Sequence, residues 1–95
     1  MKRFDIIATK RYRKDYKRIA RSGWDLSKLE RVIDSLAQDK KLPDACHDHA
    51  LKGALEGTRE CHISPDWLLH YEKNENSLVL LLISTGSHRR VLGIE

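Results

Sequence analysis

Ninety-five residues, 40% hydrophobic and 34% charged, set the scale of one small folded domain spanning 1–95, because chains near this length seldom hold two independent cores. That length excludes a multidomain enzyme, and the lack of any apolar run of about 18 residues excludes a membrane-spanning helix; no membrane partner is expected. The opening Met1-Lys2-Arg3-Phe4-Asp5 has neither the apolar stretch nor the cleavage site of a signal peptide, so a soluble, cytoplasmic protein is expected. There Cys46 and Cys61, without CxxC spacing, read as free thiols. The net charge of +4 is unevenly placed: residues 1–23 hold nine Lys/Arg and two Asp/Glu, whereas 24–95 hold nine and twelve. Such asymmetry points to an anionic partner, most often nucleic acid, against the plainer reading of a solvated helix face.

Phe4 to Ala8 is β-prone, and Thr9 is placed to cap a helix over Lys10 to Arg21. Tyr12, Tyr16, Ile19 and Ala20 share one face of it, while Arg11, Lys14, Lys17, Arg18 and Arg21 spread over the rest. Gly23 is a natural stop. Asp25 or Ser27 can cap a second helix whose apolar stripe is Leu26, Leu29, Val32, Ile33 and Leu36, ending near Lys40 before Pro43. Residues 41–57 read as a long polar loop with one irregular turn around His49 to Leu55. Thr58 to Ile63, Trp67 to Lys73 and Leu78 to Ser84 read as three strands of an antiparallel meander joined by Ser64-Pro65-Asp66 and Asn74-Glu75-Asn76. The last, apolar at every position, is expected to be central. Thr85-Gly86-Ser87 breaks it, and Arg90 to Ile94 can add a short final strand. The order β-α-α-β-β-β predicts an α+β fold with the helical hairpin packed on one face of a small, mainly antiparallel sheet and the other face free to bind.

All five histidines lie in the C-terminal half. Alternation along 58–63 puts Cys61 and Ile63 on one face and His62 on the other, beside Glu60. Asp66 follows in the turn, His49 precedes in the loop, and His88 comes after the expected central strand, so these four can converge at one end of the sheet. His70 and His47 read as structural or surface residues. Imidazole and carboxylate groups together suit acid and base work near neutral pH. No GxSxG, Walker A loop or Cys/His/Asn order offers a nucleophile site. RNA cleavage and metal binding remain, beside the bland alternative of scattered surface histidines. RNA supplies its own nucleophile, the 2′-OH, and needs only a base, an acid and cations for the charged transition state. Lys52, Arg59, Arg89 and Arg90 could be those cations, although parity aligns Arg59 with Cys61. A metal reading would rest on Cys46-x-x-His49 and Cys61-His62, but the second half lacks chelating spacing.

The stretches His49-Ala50-Leu51-Lys52-Gly53, Gly57-Thr58-Arg59-Glu60-Cys61-His62-Ile63-Ser64-Pro65-Asp66-Trp67-Leu68-Leu69-His70-Tyr71 and Thr85-Gly86-Ser87-His88 resemble the YafQ-type toxins of the RelE/ParE superfamily. The resemblance covers roughly residues 3–93 and implies a RelE-like fold. It implies a toxin of a type II toxin–antitoxin module that cuts messenger RNA on the ribosome without a metal or other cofactor. By the same resemblance His49, His62, Asp66 and His88 hold catalytic positions, with His88 as acid, His49 or Asp66 as base and His62 orienting or stabilising charge. Arg59 holds a basic position in the same cleft. Implied partners are a cognate antitoxin, messenger RNA and ribosomal RNA, the last met by Lys10, Arg11, Lys14, Lys17 and Arg18. Leu92 stands where that family usually has Phe, and it cannot stack a base as a ring does, a contact worth roughly 1–3 kcal/mol. A weakened toxin that only binds antitoxin and regulates its operon is the alternative, and a gyrase poison of the ParE branch is a third reading that the histidine set argues against.

Overall fold

A computed structural model describes residues 3–87. Strand β1 (Asp5–Ala8), helices α1 (Lys10–Arg21) and α2 (Leu26–Ala37), and strands β2 (His49–Ala50), β3 (Arg59–Ser64), β4 (Trp67–Asn74) and β5 (Val79–Gly86) follow in order, with 3₁₀ turns at Asp44–Cys46 and Gly53–Leu55. They build one sheet in the order β1-β5-β4-β3-β2. Only the β1–β5 pairing is parallel, the others being antiparallel. Parallel pairing needs a crossover, and the two helices supply it.

Both helices begin where the local chemistry dictates. The Thr9 hydroxyl accepts the Tyr12 amide at 3.0 Å and donates to the Ile83 carbonyl at 2.7 Å, so one side chain caps α1 and ties it to β5. Asp25 caps α2 by accepting the Ser27 amide. Tyr12, Ile19, Leu29, Leu36 and Ala37 of the helices pack on Cys61, Trp67, Leu69, Tyr71, Leu80 and Leu82 of the sheet, forming the core. On α1 the buried set is Tyr12, Asp15 and Ile19, while Ala20, expected inward, is exposed. Asp15 turns inward because β1 stops at Ala8 and leaves the β5 edge unpaired beyond Leu82. Its carboxylate accepts the Thr85 amide at 3.1 Å and Arg18 Nη1 at 3.0 Å, so a helix side chain completes a backbone bond that no strand reaches.

The sheet differs from the expected meander in four respects. β4 occupies the middle, with Trp67 to Tyr71 all buried, and β5 is the interior strand beside it. The expected first residue of that strand, Leu78, sits instead in the preceding turn at φ 55°. β5 runs on through Gly86, and a bulge at Ile83, set between the pairs Tyr71↔Leu82 and His70↔Ser84, shifts its alternation. Leu80 and Leu82 therefore face the helices before the bulge and Thr85 after it. Finally, the face turned away from the helices is not free along its middle: Glu60, Leu68, His70 and Ser84 are all at most 4% exposed. The expected strand over 90–94 lies outside the described residues.

His70 is one of these buried groups, a structural histidine as expected. The Thr58 hydroxyl donates its proton to the Leu55 carbonyl, so the His70 ring at 2.8 Å must be the donor, through Nε2. Burial pushes the His70 pKa down, Arg11 adds to that, and Glu60 opposes it. The unfolded ring therefore takes a proton first. The contribution of His70 to stability is whole above the ordinary histidine range, around 6.5, and is lost as pH falls through that range towards the lowered folded value. Denaturant unfolding from pH 8 to 5 should show this loss, and His70→Gln should flatten it. Asp15→Ala strands the buried Thr85 amide and should cost about 2–3 kcal/mol in the same measurement, with Asp15→Asn less damaging because its amide oxygen can still accept.

Candidate functional site

The site is built on the loop before β3. Its anchor is Asp48, whose carboxylate accepts the Tyr71 hydroxyl and, at 3.4 Å, Nε of Arg59. Burial and Asp48 both push the Tyr71 phenol up, so it stays a donor. Just before it, His47 adopts the left-handed conformation at φ 47° and ψ 45°, which ends the 3₁₀ turn and reverses the chain. The reversal brings the His47 carbonyl to 2.6 Å from Nδ1 of His49. Because a carbonyl only accepts, Nδ1 carries the proton and Nε2 is left for chemistry.

β2 pairs His49 directly with Glu60 of β3. Across that pair Nε2 of His49 lies 3.4 Å from Oε1 of Glu60; the ring is half exposed, whereas the carboxylate is 5% exposed. The other oxygen, Oε2, is buried without a hydrogen-bond partner among the described residues. A ring oriented by a carbonyl on one nitrogen and faced by a carboxylate on the other can take a proton from an oxygen and have its new charge balanced at once. Sequence reasoning set Glu60 beside His62 without giving it a role; the signal that finds it is its parity with His62 and its place opposite His49.

His62 follows Glu60 on the same side of β3 and is half-buried. Its ring meets that of His47 edge-on, with centroids 5.6 Å apart and planes at 80°. His47, read from the sequence as merely structural or superficial, thus touches both candidate histidines, one through its carbonyl and one through its ring. The rings line a cavity of about 580 Å³ with Lys28, Ala45, Cys46 and the strand end from Ile63 to Pro65. Asp66, exposed in the β3–β4 turn, lines a neighbouring cavity of about 280 Å³ with Trp24, Asp25, Lys28, Ser64 and Trp67. Trp24 stands edge-on to Trp67 at 5.0 Å. Lys28 is common to both walls. The pairing His62↔Leu68↔Gly86 brings the last residues of β5 to this same end of the sheet.

The remaining sequence candidates separate. Lys52 is exposed ahead of the second 3₁₀ turn. Arg59 pairs with Tyr71 in the ladder and lies on the helix side of β3, as its parity indicates, held by Asp48 and lining a third cavity with Lys40, Lys41 and Lys73. Lys10, Lys14 and Lys17 are exposed along α1, while Arg11 and Arg18 approach Asp15 at 4.0 and 3.0 Å. His88, Arg89, Arg90 and Leu92 lie outside the described residues. Burial first, and then Asp48, push the Cys61 and Cys46 thiols up, so neither is a ready nucleophile. Among the described residues no three His, Cys, Asp or Glu side chains are placed to share a metal ion.

Known proteins carry the same architecture over the same length. The mRNA interferase toxin YafQ of Escherichia coli K12 is 32% identical over 90 residues, covering 94% of this chain and 96% of that one. The crystal structure of YafQ from E. coli BL21(DE3) superposes with a TM-score of 0.88 at 28% identity, covering 95% of this chain and 99% of that one. YafQ in the E. coli DinJ–YafQ toxin–antitoxin complex gives 0.86 at 32% identity, over 96% and 99%. The model of the family described as the bacterial toxin of type II toxin–antitoxin systems, YafQ, matches residues 4–93. With that match running from the start of the first strand past the last described residue, the chain belongs to the YafQ family of bacterial toxins.

Proposed function

We propose that this chain is an endoribonuclease that cuts messenger RNA in the ribosome, needs no metal, and is held inactive in the cytoplasm by a cognate antitoxin. The observation that carries the proposal is His49, oriented through Nδ1 by the His47 carbonyl and faced at Nε2 by the buried carboxylate of Glu60, which shares its side of β3 with His62. In this reading Nε2 of His49 takes the proton of the ribose 2′-OH, and the 2′-oxygen forms its bond to phosphorus. The bond from phosphorus to the 5′-oxygen breaks, and His88 gives that oxygen a proton. The products are a 2′,3′-cyclic phosphate and a 5′-OH, with the two histidines left in exchanged protonation states. His62 orients the reacting phosphate or stabilises its charge, and Asp66 is the alternative base. The cations Lys52, Arg89 and Arg90 serve RNA nearby, and Arg59, engaged by Asp48, contributes from the far side of β3.

Ribosome dependence follows from what the site lacks. His49, His62 and Asp66, spread along β3 and its following turn, hold no base-reading surface of their own, so the in-line geometry must be imposed from outside. The exposed Lys10, Lys14 and Lys17 on α1 suit docking on ribosomal phosphates. The naming of the related E. coli protein as an mRNA interferase, and its antitoxin-bound structure, support the same reading. Leu92 supports the alternative of a binding-only toxin.

Cleavage sites mapped on a messenger with and without ribosomes test the proposal. Cutting is expected only with ribosomes and is expected to survive chelator; equal cutting of naked RNA, or loss on chelation restored by zinc, would overturn it. His49→Ala should lower single-turnover cleavage on the order of 10² to 10⁴, the usual range for a positioned base. Glu60→Gln should act in the same direction while leaving antitoxin binding intact. Replacing Lys10, Lys14 and Lys17 together by Gln should weaken ribosome binding and flatten its salt dependence without changing the unfolding midpoint. If no variant and no wild type cuts while the antitoxin still binds, the binding-only toxin is the correct reading.

A further inference from the structure

β2 covers only Arg59 and Glu60 of β3, so the edge of β3 beyond Glu60 is flanked by the 3₁₀ turn rather than by a strand. Three cationic or potentially cationic side chains meet in the cavity there. His47 and His62 stand edge-on at 5.6 Å, and Lys28 reaches in from the first turn of α2. The Lys28 ammonium forms no ion pair among the described residues. The nearby Asp25 carboxylate accepts the amide and hydroxyl of Ser27 at 3.1 and 2.6 Å and feels Lys28 only through space, without a direct ion pair. The cavity thus gathers an ammonium and two imidazoles with no carboxylate on its wall. Such a convergence of donors suits an oxyanion with several acceptor oxygens.

We propose that Lys28, His47 and His62 together seat a backbone phosphate of the RNA substrate at the uncovered edge of β3. The proposal rests on the RNA-cleaving reading and extends it, making Lys28 and His47 substrate-binding residues that the sequence did not single out. A metal ion is the other ligand two imidazoles could take. The geometry favours the phosphate, because the Lys28 ammonium shares the cavity and repels a cation. The third possible ligand on the wall, Cys46, has its thiol pushed up by burial and by Asp48, which opposes the thiolate a metal requires.

The test uses the whole chain and needs no turnover. Inorganic phosphate, and then a short RNA with 2′-deoxyribose at the scissile position, are titrated into protein with labelled histidines. The ring signals of His47 and His62 should move together and saturate. Lys28→Gln and His47→Gln should each weaken the oligonucleotide roughly tenfold, and Lys28→Gln should lower the slope of log affinity against log salt by about 0.7, the value for one single-strand phosphate contact. Lys28→Arg should keep that slope, which a merely structural lysine would not require, and unchanged unfolding midpoints verify each fold. Ring signals that ignore both probes, an unchanged salt slope in Lys28→Gln, or rings that respond to zinc alone and not to phosphate would each overturn the proposal. On ribosome-bound messenger, Lys28→Gln should raise KM more than it lowers kcat. Should the wild type fail to cut RNA at all, the catalytic reading fails by itself, and the phosphate titration still decides this one.

Discussion

The candidate site depends on one carboxylate at the edge of the sheet. Asp48 sits in a polar loop whose regular pairing is limited to the two residues of β2. Ordering a residue costs about 1–2 kcal/mol of backbone entropy, whereas a net hydrogen bond returns about 1 kcal/mol. Two paired residues cannot hold a loop that long. The bonds from the Tyr71 hydroxyl and the Arg59 guanidinium to Asp48 supply what the strand does not, and both are charge-assisted because a carboxylate accepts them. Because Tyr71 belongs to the core and Arg59 to the ladder, the loop is fastened to the most rigid part of the molecule, and His47 and His49 on either side of Asp48 inherit that rigidity.

A second carboxylate, this one buried, does the corresponding work towards the opposite edge of the sheet. Asp15 closes the β5 edge where β1 ends, and its pairing with Arg18 keeps the charge from being buried alone. Both devices answer the same constraint: a small sheet with short outer strands leaves backbone and loop groups that must find partners among side chains. The polar residues spent on this are the reason the core can be modest while the ends of β3 and β5 stay well placed for chemistry.

Local chemistry was readable from the chain, and non-local geometry was not. Thr9 and Asp25 announce their helices because a cap is decided within three residues. The period of two along 59–62 separates Cys61 from Glu60 and His62 without any knowledge of the fold, and it also warns that Arg59 lies on the helix side. By contrast, β2 is invisible, since two residues carry no period and their pairing is set by partners nine and eleven residues away. The inward turn of Asp15 could not be foreseen, because it answers a gap left by β1, so Ala20 took its place in the helical pattern. The involvement of His47 hangs on one backbone angle. The burial of Leu68 and Ser84 reflects how the finished chain covers the sheet, which alternation cannot supply.

The bulge at Ile83 divides β5 into two halves of opposite phase, joined where Thr9 grips the Ile83 carbonyl. For anyone redesigning this scaffold, a strict inside–outside alphabet applied to the whole strand would be correct as far as Leu82 and inverted from Ser84 onward. Straightening the bulge while keeping Ile83 would lengthen the regular ladder yet turn Thr85 out of the core, where its hydroxyl now bridges the Trp67 indole and the Leu68 carbonyl. The irregularity therefore acts as a rotary joint, letting an apolar strand run through the interior and still deliver its far end to the other side of the sheet.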